Sequence, residues 1–82
     1  MNIQTNLADL KVGDRAKVLG FKSGNLDYQQ RLLEMGLVPD TELLVVRAAP
    51  LGDPIEIRIH HFSLCIRRQE GSILNLVRIA KI

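Results

Sequence analysis

Aromatic residues and cysteine are nearly missing from this 82-residue chain, which holds no Trp, one Tyr, two Phe and one Cys. A lone Cys excludes an internal disulfide and any all-cysteine zinc or iron–sulfur centre in a monomer. That suits a reducing compartment. With so few rings, the core must be aliphatic, built from Val, Ile and Leu. No apolar run approaches the ~20 residues that span a bilayer; Leu43-Leu44-Val45-Val46 is among the longest. The N-terminus lacks a basic stretch followed by an apolar core, so no signal peptide is expected and the protein should stay in the cytoplasm. Charge of one sign is also scarce. The net charge is +2, and the densest basic pair is Arg67-Arg68. No aromatics interleave with the basic residues as in a single-strand nucleic-acid binder, so nucleic acid is not an expected partner. The basic residues read as solvated strand faces.

What remains is 46% hydrophobic and 24% charged, the balance of a soluble globular protein. At this length, residues 1–82 should form one domain with one modest core and no cleft between lobes. Two chain-reversal motifs organise it. The first is Arg31-Leu32-Leu33-Glu34-Met35-Gly36-Leu37-Val38-Pro39-Asp40, a helix stop. Glycine closes the helix in the left-handed conformation and Pro39 forbids its continuation. The second is Ala49-Pro50-Leu51-Gly52-Asp53-Pro54, a two-proline loop between β-forming runs.

Residues 1–8 read as a lead-in, and Asp9 to Asp14 as a turn. A first strand is expected over about Arg15–Phe21, with Ala16, Val18 and Gly20 on one face and Lys17 and Leu19 on the other. Asn25 is a natural N-cap for a helix from about Leu26 to Met35, with Asp27 in its first turn. Leu37 should fold back on Leu32 in a Schellman ending. Thr41 to Arg47 is β-rich, and Ile55 to Ile59 alternates strictly. A reversal at His61-Phe62 pairs Ile59 with Leu64 and Ile57 with Ile66 on one face. On the other it pairs Glu56 with Arg67, Arg58 with Cys65 and His60 with Ser63. Gln69 to Ser72 should be a short turn or 3₁₀ segment. A last strand is expected over Ile73 to Ile82, with Leu74, Leu76 and Arg78 on one face and Ile73, Asn75, Val77 and Ile79 on the other. About five antiparallel strands with one inserted helix favour a closed or half-closed small barrel.

Strand, helix with the Arg31 to Pro39 ending, strand ending in Val45-Val46-Arg47, the Ala49 to Pro54 loop, hairpin and Ile66-Arg67-Arg68 together resemble the FeoA family. The resemblance runs from about Leu10 to Val77. Asp40 and His61 stand where that family often has Gly, and Asp tolerates left-handed geometry better than most residues. The resemblance implies a mostly-β, SH3-like barrel with one inserted helix. It also implies a small cytosolic accessory of ferrous iron uptake, acting on the cytosolic GTP-binding part of the FeoB permease. Two other classes are an SH3-like metal-sensing regulator module and a basic nucleic-acid-binding barrel. Repressor relatives carry the barrel behind a DNA-reading domain, for which this chain has no room.

Chemistry-bearing residues are few. His60, His61 and Glu56 offer two imidazoles and a carboxylate, a set that suits Fe(II). Neighbouring strand residues point to opposite faces, however, so the imidazoles do not easily converge. Cys65 has no helix N-terminus or base to activate it. Gly52 stands without the glycine-lysine partner of a phosphate-binding loop. No enzyme activity, cofactor or metal is expected. On the helix, Tyr28, Leu32 and Met35 share one side, while Leu26 and Leu33 lie nearly opposite. Either Leu26 tucks under the Ser23-Gly24 turn and Leu33 packs beside Leu37, or the two form an exposed apolar patch that meets a partner. On the second reading, Leu26 and Leu33 form the partner surface with the adjoining Ala49, Pro50, Leu51, Gly52, Asp53 and Pro54. The protein should not insert directly into a membrane, and any self-association should be weak.

Overall fold

The computed structural model describes residues 3–60 and 62–79. Nine elements follow in order. They are strand β1 (Ile3–Thr5), a 3₁₀ turn (Leu7–Asp9), β2 (Arg15–Phe21), helix α1 (Leu26–Glu34), β3 (Glu42–Ala48), β4 (Ile55–Ile59), β5 (Phe62–Ile66), the four-residue helix α2 (Arg68–Gly71) and β6 (Leu74–Ile79). The strands form one antiparallel sheet in the order β1-β6-β2-β3-β4-β5. Six strands therefore stand where about five were expected. The additional one is β1, inside the presumed lead-in, where Ile3, Gln4 and Thr5 pair with Arg78, Val77 and Leu76. Three residues are too few for alternation to show.

The core is aliphatic, as the scarcity of rings requires. Ala16, Val18, Leu43, Val45, Ile57, Ile66, Leu74 and Leu76 from five strands join Leu32 and Leu37 in a single buried cluster. One cluster fed by so many strands means that the sheet curls around it, with β1 and β5 as its two ends. Leu7 and Leu10, read as part of a lead-in and a turn, are also fully buried there.

Two β-bulges correct the simple alternation. Val18 faces Leu76, but Gly20 faces Asn75 and Phe21 faces Leu74, so Leu19 is the extra residue. An extra residue reverses the side-chain parity beyond it. Phe21, rather than Gly20, therefore packs on the core. In β3 the extra residue is Val46, after which Ala48 comes opposite Ile55.

The hairpin register also differs. Ile59 faces Phe62, Ile57 faces Leu64 and Ile55 faces Ile66; outside, Glu56 faces Cys65 and Arg58 faces Ser63. The pairs expected about a turn at His61-Phe62 are thus shifted by two residues. His60 belongs to the turn, at φ 52°, and is not paired with Ser63. A two-residue shift preserves parity, so Ile57, Ile59 and Ile66 are buried as expected and Leu64 packs partly against them. The expected Gln69–Ser72 turn is the short helix α2. The last strand begins at Leu74 rather than Ile73, which is itself buried. Its expected end at residues 80–82, and the conformation of His61, lie outside the described residues.

Candidate functional site

Helix α1 begins and ends as its sequence dictates. The Asn25 side-chain oxygen accepts the Tyr28 backbone N–H at 3.1 Å, which satisfies an otherwise orphaned donor. At the other end, Leu37 N–H donates to Leu32 O and Gly36 N–H donates to Leu33 O, each at 3.0 Å. With Gly36 at φ 101°, this is the Schellman pattern. Leu32 and Leu37 are both fully buried. Asp40 takes φ 75°, which Asp tolerates better than most residues, and its N–H donates to Val18 O at 2.7 Å. Thr41, a buried polar residue, donates its hydroxyl to Gly36 O at 3.3 Å.

This ending fixes which side of α1 faces out. Leu32 is in the core, with Tyr28 and Met35 packed against it. Leu26 is 74% exposed and Leu33 is 38% exposed. Leu26 therefore does not tuck under the Ser23-Gly24 turn. Sequence reading missed a further exposed apolar residue at the helix stop. A Cβ on Gly36 would lie 3.4 Å from Ile59 Cδ1 and 3.7 Å from Phe62 Cζ, so Phe62 leans over the helix stop while remaining half exposed. The misplaced hairpin turn hid it. Val38 is exposed in the same reversal.

The loop from Ala49 to Pro54 closes on itself: Gly52 N–H donates to Ala49 O at 2.7 Å and Ala49 N–H donates to Pro54 O at 3.0 Å. Its fixity comes from Arg68 as much as from its prolines. Arg68 Nε donates to Gly52 O at 2.6 Å, and its Nη1 donates to Leu7 O and Ala8 O at 3.1 Å each. Asp53 is committed internally, because its Oδ1 accepts the Arg68 backbone N–H at 2.8 Å. Pro50 is exposed and Leu51 is 97% exposed at the loop tip, while Ala49, Gly52 and Pro54 are half-buried. Arg67-Arg68 was visible as a basic pair, but nothing in its spacing pointed to the loop.

Helix and loop are joined through α2. Arg31 Nη1 meets Glu70 Oε2 at 2.7 Å, and Arg68 holds the loop from the same short helix. The base of the loop turns toward the outside of the sheet, where Ala49 and Pro54 line a shallow depression of about 150 Å³ with Arg47, Glu56 and Cys65. Among the described residues, no group of three or more His, Cys, Asp and Glu side chains converges. Glu56 lies 4.0 Å from Arg47, His60 belongs to the turn after β4, and His61 lies outside the described residues. What the surface offers is apolar contact and backbone rigidity, the means of a binding module.

Comparison with known proteins agrees with this architecture. The family model for the FeoA domain matches residues 5–76. The chain is 31% identical over 74 residues to the Fe(2+) transport protein A/Fe(2+) transporter FeoB fusion protein of Porphyromonas gingivalis, covering 90% of this chain and 9% of that protein. The structure superposes with a TM-score of 0.88 on the NMR structure of a FeoA-like protein from Clostridium acetobutylicum. That match has 26% identity and covers 100% of this chain and 94% of that one. A FeoA of Stenotrophomonas maltophilia, described as an SH3 domain protein and complexed with zinc, matches with a TM-score of 0.74 and 23% identity. It covers 88% of each chain, and at that identity the likeness concerns the fold alone.

Proposed function

The chain belongs to the FeoA family, and from that membership we propose that it serves ferrous iron uptake as a small accessory protein, binding the cytosolic GTP-binding part of a FeoB-like permease. The observation that carries this reading is the Porphyromonas gingivalis fusion, in which both components are made as one polypeptide. Covalent linkage raises the effective concentration of one module at the other, and is useful when the two act together. This chain spans 9% of that fusion protein, so transport itself is ascribed to the permease. Among the described residues, no helix is long and apolar enough to cross a membrane. The protein would reach the inner face of the cytoplasmic membrane through its partner.

The contact surface is proposed to be the outward side of α1, with Leu26 and Leu33, together with residues 49–54. Leu33 and Leu51 are exposed apolar groups on backbone already held by hydrogen bonds, so docking there orders little new chain. The test is calorimetric titration of the chain into the purified cytosolic domain of a FeoB-like permease, with and without GTP. Saturable binding that Leu33→Gln weakens, with the thermal unfolding midpoint unmoved, supports the reading. Undiminished binding by Leu33→Gln removes the helix from the surface, and no binding under either nucleotide condition removes the proposed partner domain.

A further inference from the structure

Charge on this molecule is sorted by face. Strand alternation, with the two bulges counted, places Arg15, Lys17 and Arg58 on the outside of the sheet together with Arg47. That is four of the chain's eleven Lys and Arg residues. Only two of its nine Asp and Glu residues, Glu42 and Glu56, share that face. The net positive charge of the chain is therefore carried here.

Across the centre of this face runs a row of directly opposed residues, in which Arg15 on β2 faces Leu44 on β3, and Leu44 faces Arg58 on β4. Both arginines are exposed and Leu44 is half-buried between them. With Glu42, Leu43 and His60 they line an open depression of about 170 Å³. Among the described residues, the ion pairs are Arg31–Glu70, Arg47–Glu56 and Arg78–Asp14. Glu42 stands opposite Lys17 on β2. Both acids of the face thus have a basic neighbour outside the row, and neither Arg15 nor Arg58 is in an ion pair with any described residue. Two strand spacings separate the arginines, roughly 9.5–10 Å.

We propose that this row docks an acidic, aliphatic segment of a partner protein, with one carboxylate on each of Arg15 and Arg58 and an aliphatic side chain between them on Leu44. The guanidinium fork matches a carboxylate bidentately. A helix carrying Glu-x-x-Leu-x-x-x-Glu sets its two acids seven residues, about 10.5 Å, apart along one face with the leucine between them. Discrete carboxylates fit better than a continuous phosphate surface. Glu42 and Glu56 flank the row on either side and repel phosphates that extend beyond it. No Phe, Tyr or Trp lines the depression, and the His60 imidazole is its one ring, where single-strand nucleic-acid binding stacks successive bases on a series of aromatic side chains. The row shares no residue with Leu26, Leu33 or the 49–54 loop, so the calorimetric test above and the one below use different variants and can fail independently.

The probe is a fluorescein-labelled helical peptide with that Glu/Leu spacing, titrated with the full chain by anisotropy at low and moderate salt. Binding should weaken with salt, as exposed ion pairs do. Arg15→Gln and Arg58→Gln should each weaken it about tenfold, and Arg→Lys at either site should fall in between, keeping the charge without the fork. Lys22→Gln, the same charge change at a residue beyond the end of β2 and outside the depression, should alter affinity less than about twofold. Circular dichroism melts check that each variant is folded, and the Arg→Lys pair decides the matter if a Gln variant is not. The proposal is overturned if Lys22→Gln weakens binding as much as the arginine variants. It is equally overturned if the arginine variants bind unchanged, or if single-stranded DNA or phosphatidylglycerol vesicles bind more tightly than the peptide at equal salt.

Discussion

The reversal after α1 is held by its own neighbours, whereas the reversal between β3 and β4 is held by a side chain sixteen residues downstream. Both turn on a glycine in the left-handed region, Gly36 at φ 101° and Gly52 at φ 86°. At Gly36 the bonds run back only as far as Leu32, and Leu32 and Leu37 bury the stop in the core. At Gly52 the local bonds close a small loop that projects from the fold. Arg68 then ties that loop to the Leu7–Ala8 backbone. A reversal seated on the core is stabilised by burial; one standing off it needs a remote polar tether.

The sharpest way to break this comparison is at Leu32. It is fully buried, so Leu32→Ala should cost on the order of 2–5 kcal/mol through lost burial and the cavity left behind. Urea denaturation measures it, and a loss under 1 kcal/mol would mean that the stop is not anchored by the core. The paired glycines come next. Either alanine substitution forces a left-handed residue, at roughly 1–2 kcal/mol. At Gly36 the new Cβ would make only ordinary contact with Ile59 and Phe62, and at Gly52 it meets nothing within 4 Å, so backbone strain decides the order. Gly36 at φ 101° lies further than Gly52 at φ 86° from the small left-handed well open to other residues. Gly36→Ala should therefore be the more damaging of the two, and the reverse order would mean that the strain at Gly36 is relieved by movement of the reversal.

The same distinction separates what could be read in the sequence from what could not. Asn25, Gly36 and the Leu32/Leu37 pair act within a dozen residues, and their chemistry is local, so the helix and its ending were legible. So was the mostly-β class, because Ile55 to Ile59 alternates without interruption. The bulges at Leu19 and Val46 were not, since the identity of the extra residue depends on which strand lies opposite. The hairpin register slipped by two because parity is unchanged by such a slip and burial alone cannot detect it. Of the candidate surface, helical angles set Leu26 and Leu33 nearly opposite the core side, but whether they tuck in or stay exposed was decided only by the fold. The Phe62 contact and the Arg68 tether needed the third dimension.

Arg68 supplies a prediction of intermediate size. Removing its side chain leaves the carbonyls of Gly52, Leu7 and Ala8 to water, so Arg68→Ala should cost about 1 kcal/mol. The more telling readout is local opening. Hydrogen exchange of the Gly52 and Ala49 amides should accelerate relative to wild type, while the Leu37 amide, protected by the Schellman ending, should change only with global stability. Equal acceleration at both reversals would show that the loop is held by the fold as a whole and not by this one side chain.

The smallest stability effect belongs to Leu51. At 97% exposure its side chain contributes almost nothing to the folded state, so Leu51→Ser should move stability by less than about 0.5 kcal/mol. An apolar group so placed on a tethered loop has its value only in contact with something else. Calorimetry against the permease cytosolic domain should therefore separate folding from binding here more cleanly than at any other position. If Leu51→Ser and Leu33→Gln each weaken binding, the double variant decides whether helix and loop act as one surface. Independent contacts give additive losses, and a shared contact gives less than the sum. The indirect connection through α2, with no hydrogen bond or ion pair from α1 to the loop among the described residues, predicts near-additivity. Strong coupling between the two would mean that the partner bridges them on binding.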